Sequence, residues 1–317
     1  MNIAEAELKD TPPKSGSFRH ILVATDFSRC SERALAEALA LAIEIGAELS
    51  LVHVLRTDWR YEMLENPPEI DLELSDAREL MDACVRKLPG LLRVQPVLIT
   101  KGPIAKSLLR AAMEQPSDLI VVGTRGRGGL PKLALGSVAE ELLRLAPCPV
   151  MTVGPRAEIP TDPTPVHPIL FATDFGKGSA KAVNLALDFA YRKNARLILL
   201  HMTPPMPMSS TNLSPYAPVP VAVEDSLHWE DSMRSRCLLQ LKACLPRGIA
   251  LQQEPEYIVG TELCAEGILS CAERLSASLI VMGANQVGSA KVLAHLPWTA
   301  VHEVIRRAPC PVLTVAG

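Results

Sequence analysis

A glycine-rich loop separates a short apolar run from a helical pattern in the first half of the chain. The stretch Val121–Val138 contains glycines at 123, 126, 128, 129 and 136. Glycine lets backbone N–H groups approach an anion, and Ser137 opens a predicted helix whose first N–H groups carry partial positive charge. Arg125 and Arg127 add formal positive charge nearby. This pattern is typical of a phosphate-binding loop, although a plain strand-to-helix turn would also use glycine.

A carboxylate closes the first predicted strand. The run His20–Asp26 is apolar on both faces, as is typical of a central strand in a parallel sheet. The Asp26 carboxylate can accept hydrogen bonds from hydroxyl or amino groups but would repel a phosphate. A second interpretation makes Asp26 the N-terminal cap of the helix that follows, and the matching Asp174 in the second half keeps that interpretation open.

Strands and helices alternate through the first half of the chain. Periodicity predicts strands at His20–Asp26, Glu48–Val54, Val94–Thr100, Leu119–Val122 and Val150–Val153. Helices are predicted at Ser31–Ile45, Asp71–Lys87, Ile104–Glu114 and Ser137–Leu145. This order predicts an α/β fold with a doubly wound parallel sheet.

The same unit then occurs a second time. The run ending at Asp174 matches the run ending at Asp26 without a gap as far as His53-Val54 and His201-Met202. Leu119–Gly123 matches Leu279–Gly283, and both halves close on Ala-Pro-Cys-Pro-Val. We therefore expect two tandem copies of one fold.

The repeat predicts domains at residues 18–154 and 168–317. Residues 1–17 have no apolar segment of signal-peptide type and are expected to form a flexible leader. Residues 155–167 are rich in proline and are expected to form a linker. A proline-rich insertion over 203–221 is interpreted as a surface insertion without a role rather than a functional flap.

Composition favours a globular cytoplasmic protein. The net charge of −3 argues against nucleic acid as a partner, and no apolar run approaches the roughly 18 residues of a membrane span. The eight cysteines include no C-x-x-C pair, so we expect reduced thiols. Cys148 and Cys310 are interpreted as buried hydrophobes, with a redox sensor as the alternative. His53 and His201 are interpreted as packed, hydrogen-bonded core residues rather than proton-transfer groups.

Each half resembles the universal stress protein family. The resemblance rests on Ala24-Thr25-Asp26-Phe27-Ser28, Val54, the glycine loop and Pro147-Cys148-Pro149-Val150. Nucleotide-binding members carry G-x2-G-x9-G-[S/T], which Gly123, Gly126, Gly136 and Ser137 satisfy. The resemblance implies two Rossmann-like, flavodoxin-like five-stranded sheets of order 3-2-1-4-5, with ligands at the switch point between strands 1 and 4.

The resemblance also implies a role for each motif residue. Base and ribose contacts would come from Asp26 and Val54, with Ala24 and Thr25 shaping the wall, and the ribose would be flanked by Val122 and Gly123. The phosphates would be held by backbone N–H groups and by the hydroxyl of the serine. The residues concerned are Gly126, Arg127, Gly136, Ser137 and Val138. The implied ligand is ATP or a related adenine nucleotide, with Mg²⁺ as an optional companion and no protein metal site.

The second copy lacks this motif. Gln286 replaces Gly126, and the Gly136-Ser137 position holds Leu296-Pro297 or Trp298-Thr299, depending on whether one counts from Gly283 or back from Cys310. A bulky side chain there would fill the phosphate position, and a proline would remove a donor. We expect ATP in domain 1 alone.

Three functions are compatible with these residues. The first is a stress-response regulator or adaptor that binds ATP in domain 1, has a protein partner and shows little or no hydrolysis, since no catalytic residue is visible. The second is a nucleotide-free protein-interaction module, and the third a slow ATPase using Asp26.

The resemblance also implies how the two copies assemble. In the family the fifth strand is a sheet edge that pairs with a partner's fifth strand. We therefore expect an intramolecular pseudo-dimer in which Val150–Val153 lies antiparallel to Val312–Val315. Any homodimer would use other surfaces.

Overall fold

A computed structural model describes residues 18–55, 68–90, 92–100, 102–126, 135–157, 166–203, 223–246, 251–284 and 295–317. These residues form ten strands and eight helices. The strands are β1 His20–Ala24, β2 Glu48–Val54, β3 Val94–Ile99, β4 Leu119–Gly123, β5 Val150–Val153, β6 Ile169–Ala172, β7 Leu197–Met202, β8 Glu256–Gly260, β9 Leu279–Ala284 and β10 Val312–Ala316. The helices are α1 Arg29–Ile45, α2 Pro68–Arg86, α3 Ile104–Glu114, α4 Ser137–Leu145, α5 Lys177–Arg192, α6 Val223–Ala243, α7 Cys264–Arg274 and α8 His295–Arg307.

The chain folds into two compact units. The first-repeat unit contains Gly16–Pro165 together with Ala284–Gly317, and the second-repeat unit contains Val166–Gly283. By their contacts, α8 and β10 therefore belong with the first repeat, although they are the last elements of the second repeat in sequence.

The first-repeat unit has the predicted α/β architecture. Its strands lie in the order β3-β2-β1-β4-β5-β10, and the first five are parallel. This confirms the order 3-2-1-4-5 and places the carboxyl ends of β1 and β4 side by side. The strands are apolar on both faces because helices cover both, and Val23 and Val121 are fully buried.

The last strand pairs with β5 as expected for the fifth strands of the two copies. β10 runs antiparallel to β5, with Leu313 opposite Met151 and Thr314 opposite Val150. The Thr152 hydroxyl donates to the Val312 carbonyl over 3.2 Å. The pairing removes an exposed edge from β5.

The second-repeat unit repeats the order of the first four strands. Its strands lie as β9-β6-β7-β8, all parallel. The register matches the first repeat, since Ala172 lies opposite Met282 as Ala24 lies opposite Val122. The two tandem copies therefore share one Rossmann-like fold.

Helix α1 shows why small apolar residues recur at helical spacing. Ala34, Ala38 and Ala42 are fully buried, which lets the helix pack close to β1 and β4. The helix ends at Gly46, whose φ of 71° is the left-handed conformation that glycine adopts readily. It begins at Arg29, two residues before the predicted start, because Ser28 caps it.

Candidate functional site

The carboxyl ends of three neighbouring strands bring the predicted wall residues together. Ala24 at the end of β1 lies opposite Val122 of β4 and opposite Val52 of β2. Thr25 continues the ladder, because its N–H donates to the Val52 carbonyl over 2.9 Å. Ala24, Thr25, Val54 and Val122 are all buried. Their side chains therefore belong to the base of this sheet edge rather than to an exposed rim.

Side chains fix the turn between β1 and α1. Thr25 Oγ1 accepts from the Phe27 N–H and Asp26 Oδ1 from the Ser28 N–H, each over 3.1 Å. Phe27 has a φ of 58°, a conformation uncommon for residues other than glycine. The helix cap is Ser28, whose Oγ accepts from the Ser31 N–H over 3.3 Å. The interpretation of Asp26 as the cap of α1 was wrong, because Asp26 bonds to a residue that precedes the helix.

His53 supports this turn from the neighbouring strand. Its Nδ1 bonds to the Thr25 carbonyl over 2.7 Å, and its ring centroid lies 4.5 Å from that of Phe27. The second repeat has the same arrangement, with 2.7 Å from His201 to the Thr173 carbonyl and 4.2 Å between the rings of His201 and Phe175. This confirms the interpretation of His53 as a packed, hydrogen-bonded core residue, whereas His201 is packed and hydrogen-bonded in the same way but only half-buried.

Gly123 is required by helix packing. A Cβ built on it would lie 2.9 Å from the Cys30 carbonyl carbon and 3.0 Å from the Ser31 nitrogen, at the start of α1. Gly283 meets the backbone of Gly178 and Ser179 even more closely at the start of α5. The first glycine of the motif is therefore present in both copies because a helix crosses it, which explains its survival where the rest of the motif is lost.

Gly126 lies directly against the Asp26 carboxylate. A Cβ built on Gly126 would be 2.7 Å from Asp26 Oδ2. The preceding residue is tied to the same turn, because the Ser28 hydroxyl donates to the Arg125 carbonyl over 3.3 Å. The start of the glycine loop and the turn after β1 thus form one connected structure. Sequence reasoning missed Ser28; its replacement by Gly176 in the second repeat was the available signal.

The far end of the loop returns to its beginning at Thr124. The Gly136 N–H donates to the Thr124 carbonyl over 2.9 Å, and a Cβ on Gly136 would lie 3.2 Å from that oxygen. The Gly136 N–H is thus engaged, whereas Ser137 and Val138 follow in the first turn of α4, which has no side-chain cap. Arg127 lies outside the described residues.

In the second repeat the corresponding helix begins earlier. Counting back from Cys310, Thr299 matches Ser137, yet α8 already begins at His295. The Thr299 N–H therefore lies beyond the first turn, where helical N–H groups bond to carbonyls four residues before them. Counting from Gly283 instead places Pro297, which has no N–H, at this position. Gln286 lies outside the described residues.

Met202 fills space at the end of β7. A Cβ on Gly260 would lie 2.6 Å from the Met202 methyl carbon, and a Cβ on Gly267 would also overlap it. The strand register matches Met202 to Val54 and Gly260 to Ile99 of the first repeat, and counting from Gly123 and Gly283 matches Gly267 to Ser107. The methionine fits because both neighbours lack a side chain, so the two repeats differ at this end of the cleft as well.

Burial favours the structural interpretation of the two Ala-Pro-Cys-Pro cysteines. Burial raises the pKa of the Cys148 thiol from 9.0 to about 12, and the neighbouring Asp118 carboxylate adds to the effect. Cys310 is 4% exposed. A thiol that stays protonated at neutral pH is a poor nucleophile, so Cys148, although only half-buried, has the properties of a structural residue.

Membrane-spanning and metal-binding features concern the described part of the chain only. None of its helices is both long enough and apolar enough to cross a bilayer. No three His, Cys, Asp or Glu side chains among those residues converge in a way that could hold a metal ion.

Known proteins resemble the chain in both halves. The model of the universal stress protein family matches residues 17–154 and again residues 165–316. A universal stress protein of Thermus aquaticus is 37% identical over 138 residues, covering 43% of this chain and 98% of its own, and YxiE of Bacillus subtilis is 34% identical over 146 residues, covering 43% and 99%. The crystal structure of a universal stress protein from Archaeoglobus fulgidus covers 95% of this chain and 99% of its own, with a TM-score of 0.65 and 19% identity. That last similarity concerns the fold alone.

Proposed function

The chain belongs to the universal stress protein family, and from that premise we propose that its first repeat binds ATP or a related adenine nucleotide at the carboxyl ends of β1 and β4. The observation that carries the proposal is the difference between the two helices that follow the loop. Helix α4 begins at Ser137, directly behind a glycine and without a side-chain cap. Its counterpart α8 begins before the matching residue. In the described residues, the N–H behind the loop glycine thus lies in the first turn of a helix in the first copy, whereas the matching residue of the second copy lies inside a helix or is a proline.

The phosphate groups belong at the start of α4. The N–H groups of Ser137 and Val138 lie in the first turn, where a helix has no internal partner for its donors and carries partial positive charge. Gly136, directly before them, carries no side chain that could cover them. The Gly136 N–H bonds to Thr124, so its contribution is to close the loop and open the approach.

The sugar and base belong beside β2, next to Thr25 and Val54, which supply a buried wall. Asp26 is half-buried and would repel phosphate, but its carboxylate suits a ribose hydroxyl. The site therefore offers an acceptor for the sugar and helix-terminal donors for the phosphates of a nucleotide.

The second repeat is proposed to have no nucleotide function. Asp174 Oδ1 accepts from the Gly176 N–H over 2.8 Å and from the Ser179 hydroxyl over 2.7 Å, so this carboxylate serves its own turn. Met202 occupies the position of Val54. We therefore assign the second repeat a structural or regulatory role.

In this proposal the nucleotide acts as a regulatory ligand and not as a substrate for hydrolysis. Hydrolysis needs a positioned base for water or a metal that stabilises the leaving group. Asp26 is engaged with the Ser28 N–H, and the described residues offer no protein metal site. We therefore assign a regulator or adaptor role, in which occupancy of the first repeat changes binding to a protein partner.

A thermal-shift comparison tests the proposal. ATP is expected to raise the melting temperature of the wild type more than AMP does, because AMP lacks the outer phosphates. The Gly136→Trp variant places a bulky side chain at the start of α4, as in the second repeat, and should lose the ATP-induced shift. Gly136→Ala is the matched control, since it adds the same Cβ contact with Thr124 without the ring. A wild type unaffected by ATP would contradict the proposal.

A nucleotide-free interaction module is the second candidate. It is favoured by the finding that all three motif glycines make close contacts within the fold, with Cys30 and Ser31, with Asp26, and with Thr124. In that case the motif would serve the fold alone. The two functions are separated by whether nucleotide is released when the purified protein is denatured and analysed by mass spectrometry.

A further inference from the structure

Ser28 connects the two sides of the proposed cleft. Its N–H donates to Asp26 Oδ1 over 3.1 Å and its hydroxyl donates to the Arg125 carbonyl over 3.3 Å. Asp26 Oδ2 in turn lies against Gly126, the residue after Arg125. These contacts close a ring that runs from the turn after β1 to the glycine loop and back.

The single proton of the Ser28 hydroxyl has two acceptors within reach, the Arg125 carbonyl at 3.3 Å and Ser31 Oγ at 3.4 Å, and the carbonyl is the nearer. The Ser28 hydroxyl oxygen accepts from the Ser31 N–H over 3.3 Å, which satisfies the helix cap with a lone pair. The Ser31 hydroxyl donates to the Ser28 carbonyl over 2.9 Å. Capping and bridging to the loop are thus separate roles of one side chain, and a substitution can remove one while sparing most of the other.

The second repeat has the same turn without a serine at this position. Gly176 stands at the position of Ser28 and caps α5 without any side-chain hydrogen bond. The Asp174 carboxylate then takes the Ser179 hydroxyl, whereas the matching Ser31 hydroxyl in the first repeat bonds to a backbone carbonyl. The presence of the serine therefore coincides with an aspartate directed at the loop, and its absence with an aspartate turned back to its own helix.

We infer that Ser28 is a positioning residue of the first-repeat cleft, holding the Arg125 carbonyl and the Asp26 carboxylate at a fixed separation for the ligand. This inference rests on the proposed nucleotide function for its effect on affinity. The bridge itself is a property of the protein without ligand. Its two consequences can therefore be measured independently.

Three substitutions separate the bridge from the cap. Ser28→Gly and Ser28→Ala both remove the hydroxyl, but glycine is a good N-cap and alanine a poor one. Ser28→Thr keeps the hydroxyl and should restore the wild-type properties. Ser31→Ala is the matched control, because it removes from the same turn a hydroxyl that lies 3.4 Å from Ser28 Oγ and leaves the donor to the Arg125 carbonyl in place.

The first readout is limited trypsin cleavage after Arg125, followed by mass spectrometry in the absence of nucleotide. Trypsin attacks the carbonyl that the Ser28 hydroxyl holds, so the Gly and Ala variants should be cut about threefold to tenfold faster, in keeping with the loss of one hydrogen bond. The Thr variant and Ser31→Ala should be cut at the wild-type rate. Equal initial rates in the wild type, Ser28→Gly and Ser28→Ala would overturn the inference.

The second readout is the affinity for ATP by isothermal titration. Ser28→Gly and Ser28→Ala are expected to bind about threefold to tenfold more weakly than the wild type, with recovery in Ser28→Thr. Unchanged affinity in both, with a wild type that binds, would overturn the positioning role. If the wild type itself fails to bind ATP, the proposed function fails, and the cleavage rates alone then support or overturn the bridge.

Discussion

The Asp26 carboxylate and Gly126 approach each other so closely that no side chain fits between them, since a Cβ on Gly126 would lie 2.7 Å from Oδ2. Because Oδ1 is held by the Ser28 N–H, the carboxylate cannot turn aside without losing a hydrogen bond. A glycine of the loop and the acid that follows the first strand are therefore one structural unit, although they lie far apart in the sequence.

Coupling between these two positions can be measured directly. Gly126→Ala should displace the Asp26 carboxylate and weaken ATP binding by about tenfold, and Asp26→Ala should weaken it by a similar factor. The double variant should be little worse than either single one, because each change disrupts the same contact. Isothermal titration of the four proteins checks this. Gly154→Ala is the control, since its Cβ would meet neighbours only at 3.7 Å or more. Fully additive losses would show that the two residues act independently.

The first glycine of each loop should matter for stability rather than for ligand. Gly123→Ala forces a Cβ against Cys30 and Ser31 and is expected to lower the free energy of unfolding by about 1–3 kcal/mol. Gly283→Ala should cost at least as much, because the backbone of Ser179 lies closer still. Urea unfolding monitored by circular dichroism provides the measurement.

Gly90→Ala is the reference for those two variants, because nothing lies within 4 Å of a Cβ at that position. It should unfold at the wild-type urea concentration. A Gly123→Ala protein as stable as the reference would mean that α1 does not press on the end of β4 as the structure describes.

Cys148 should be inert in the native protein. With a pKa raised to about 12 by burial, its thiolate makes up only about one part in ten thousand at pH 8. Iodoacetamide at pH 8 should therefore modify Cys148 only after unfolding, as followed by peptide mass spectrometry. Cys264, which is exposed, serves as the internal comparison. Rapid native alkylation of Cys148, or its oxidation by dilute peroxide, would revive the redox-sensor interpretation.

The sequence was sufficient for features that depend on pattern. The repeat predicted two copies of one fold, and the alternation of strands and helices predicted an α/β fold with a parallel sheet. The strand order 3-2-1-4-5 and the antiparallel pairing of β5 with β10 were predicted from the resemblance to the universal stress protein family, in which the fifth strand is a sheet edge that pairs with a partner's fifth strand.

The reasons for individual residues could not be predicted in the same way. The sequence shows that Gly123 and Gly283 survive together, but only the distance to the crossing helix explains why. The alternative interpretation of Asp26 as a helix cap was wrong for a similar reason. Asp26 and Ser28 are both good N-cap residues and lie two positions apart, so the residue that caps α1 depends on where the backbone becomes helical. The start of α8 at His295 could not be predicted by matching the two repeats, because a helix can extend into positions whose side chains differ between the copies.

Calorimetric titration of the purified, nucleotide-free chain with ATP tests the central claim most directly, because it reports affinity and stoichiometry together. The account predicts one ATP bound per chain, with binding lost in Gly136→Trp and retained in Gly136→Ala. Two bound nucleotides per chain, or none, would contradict it.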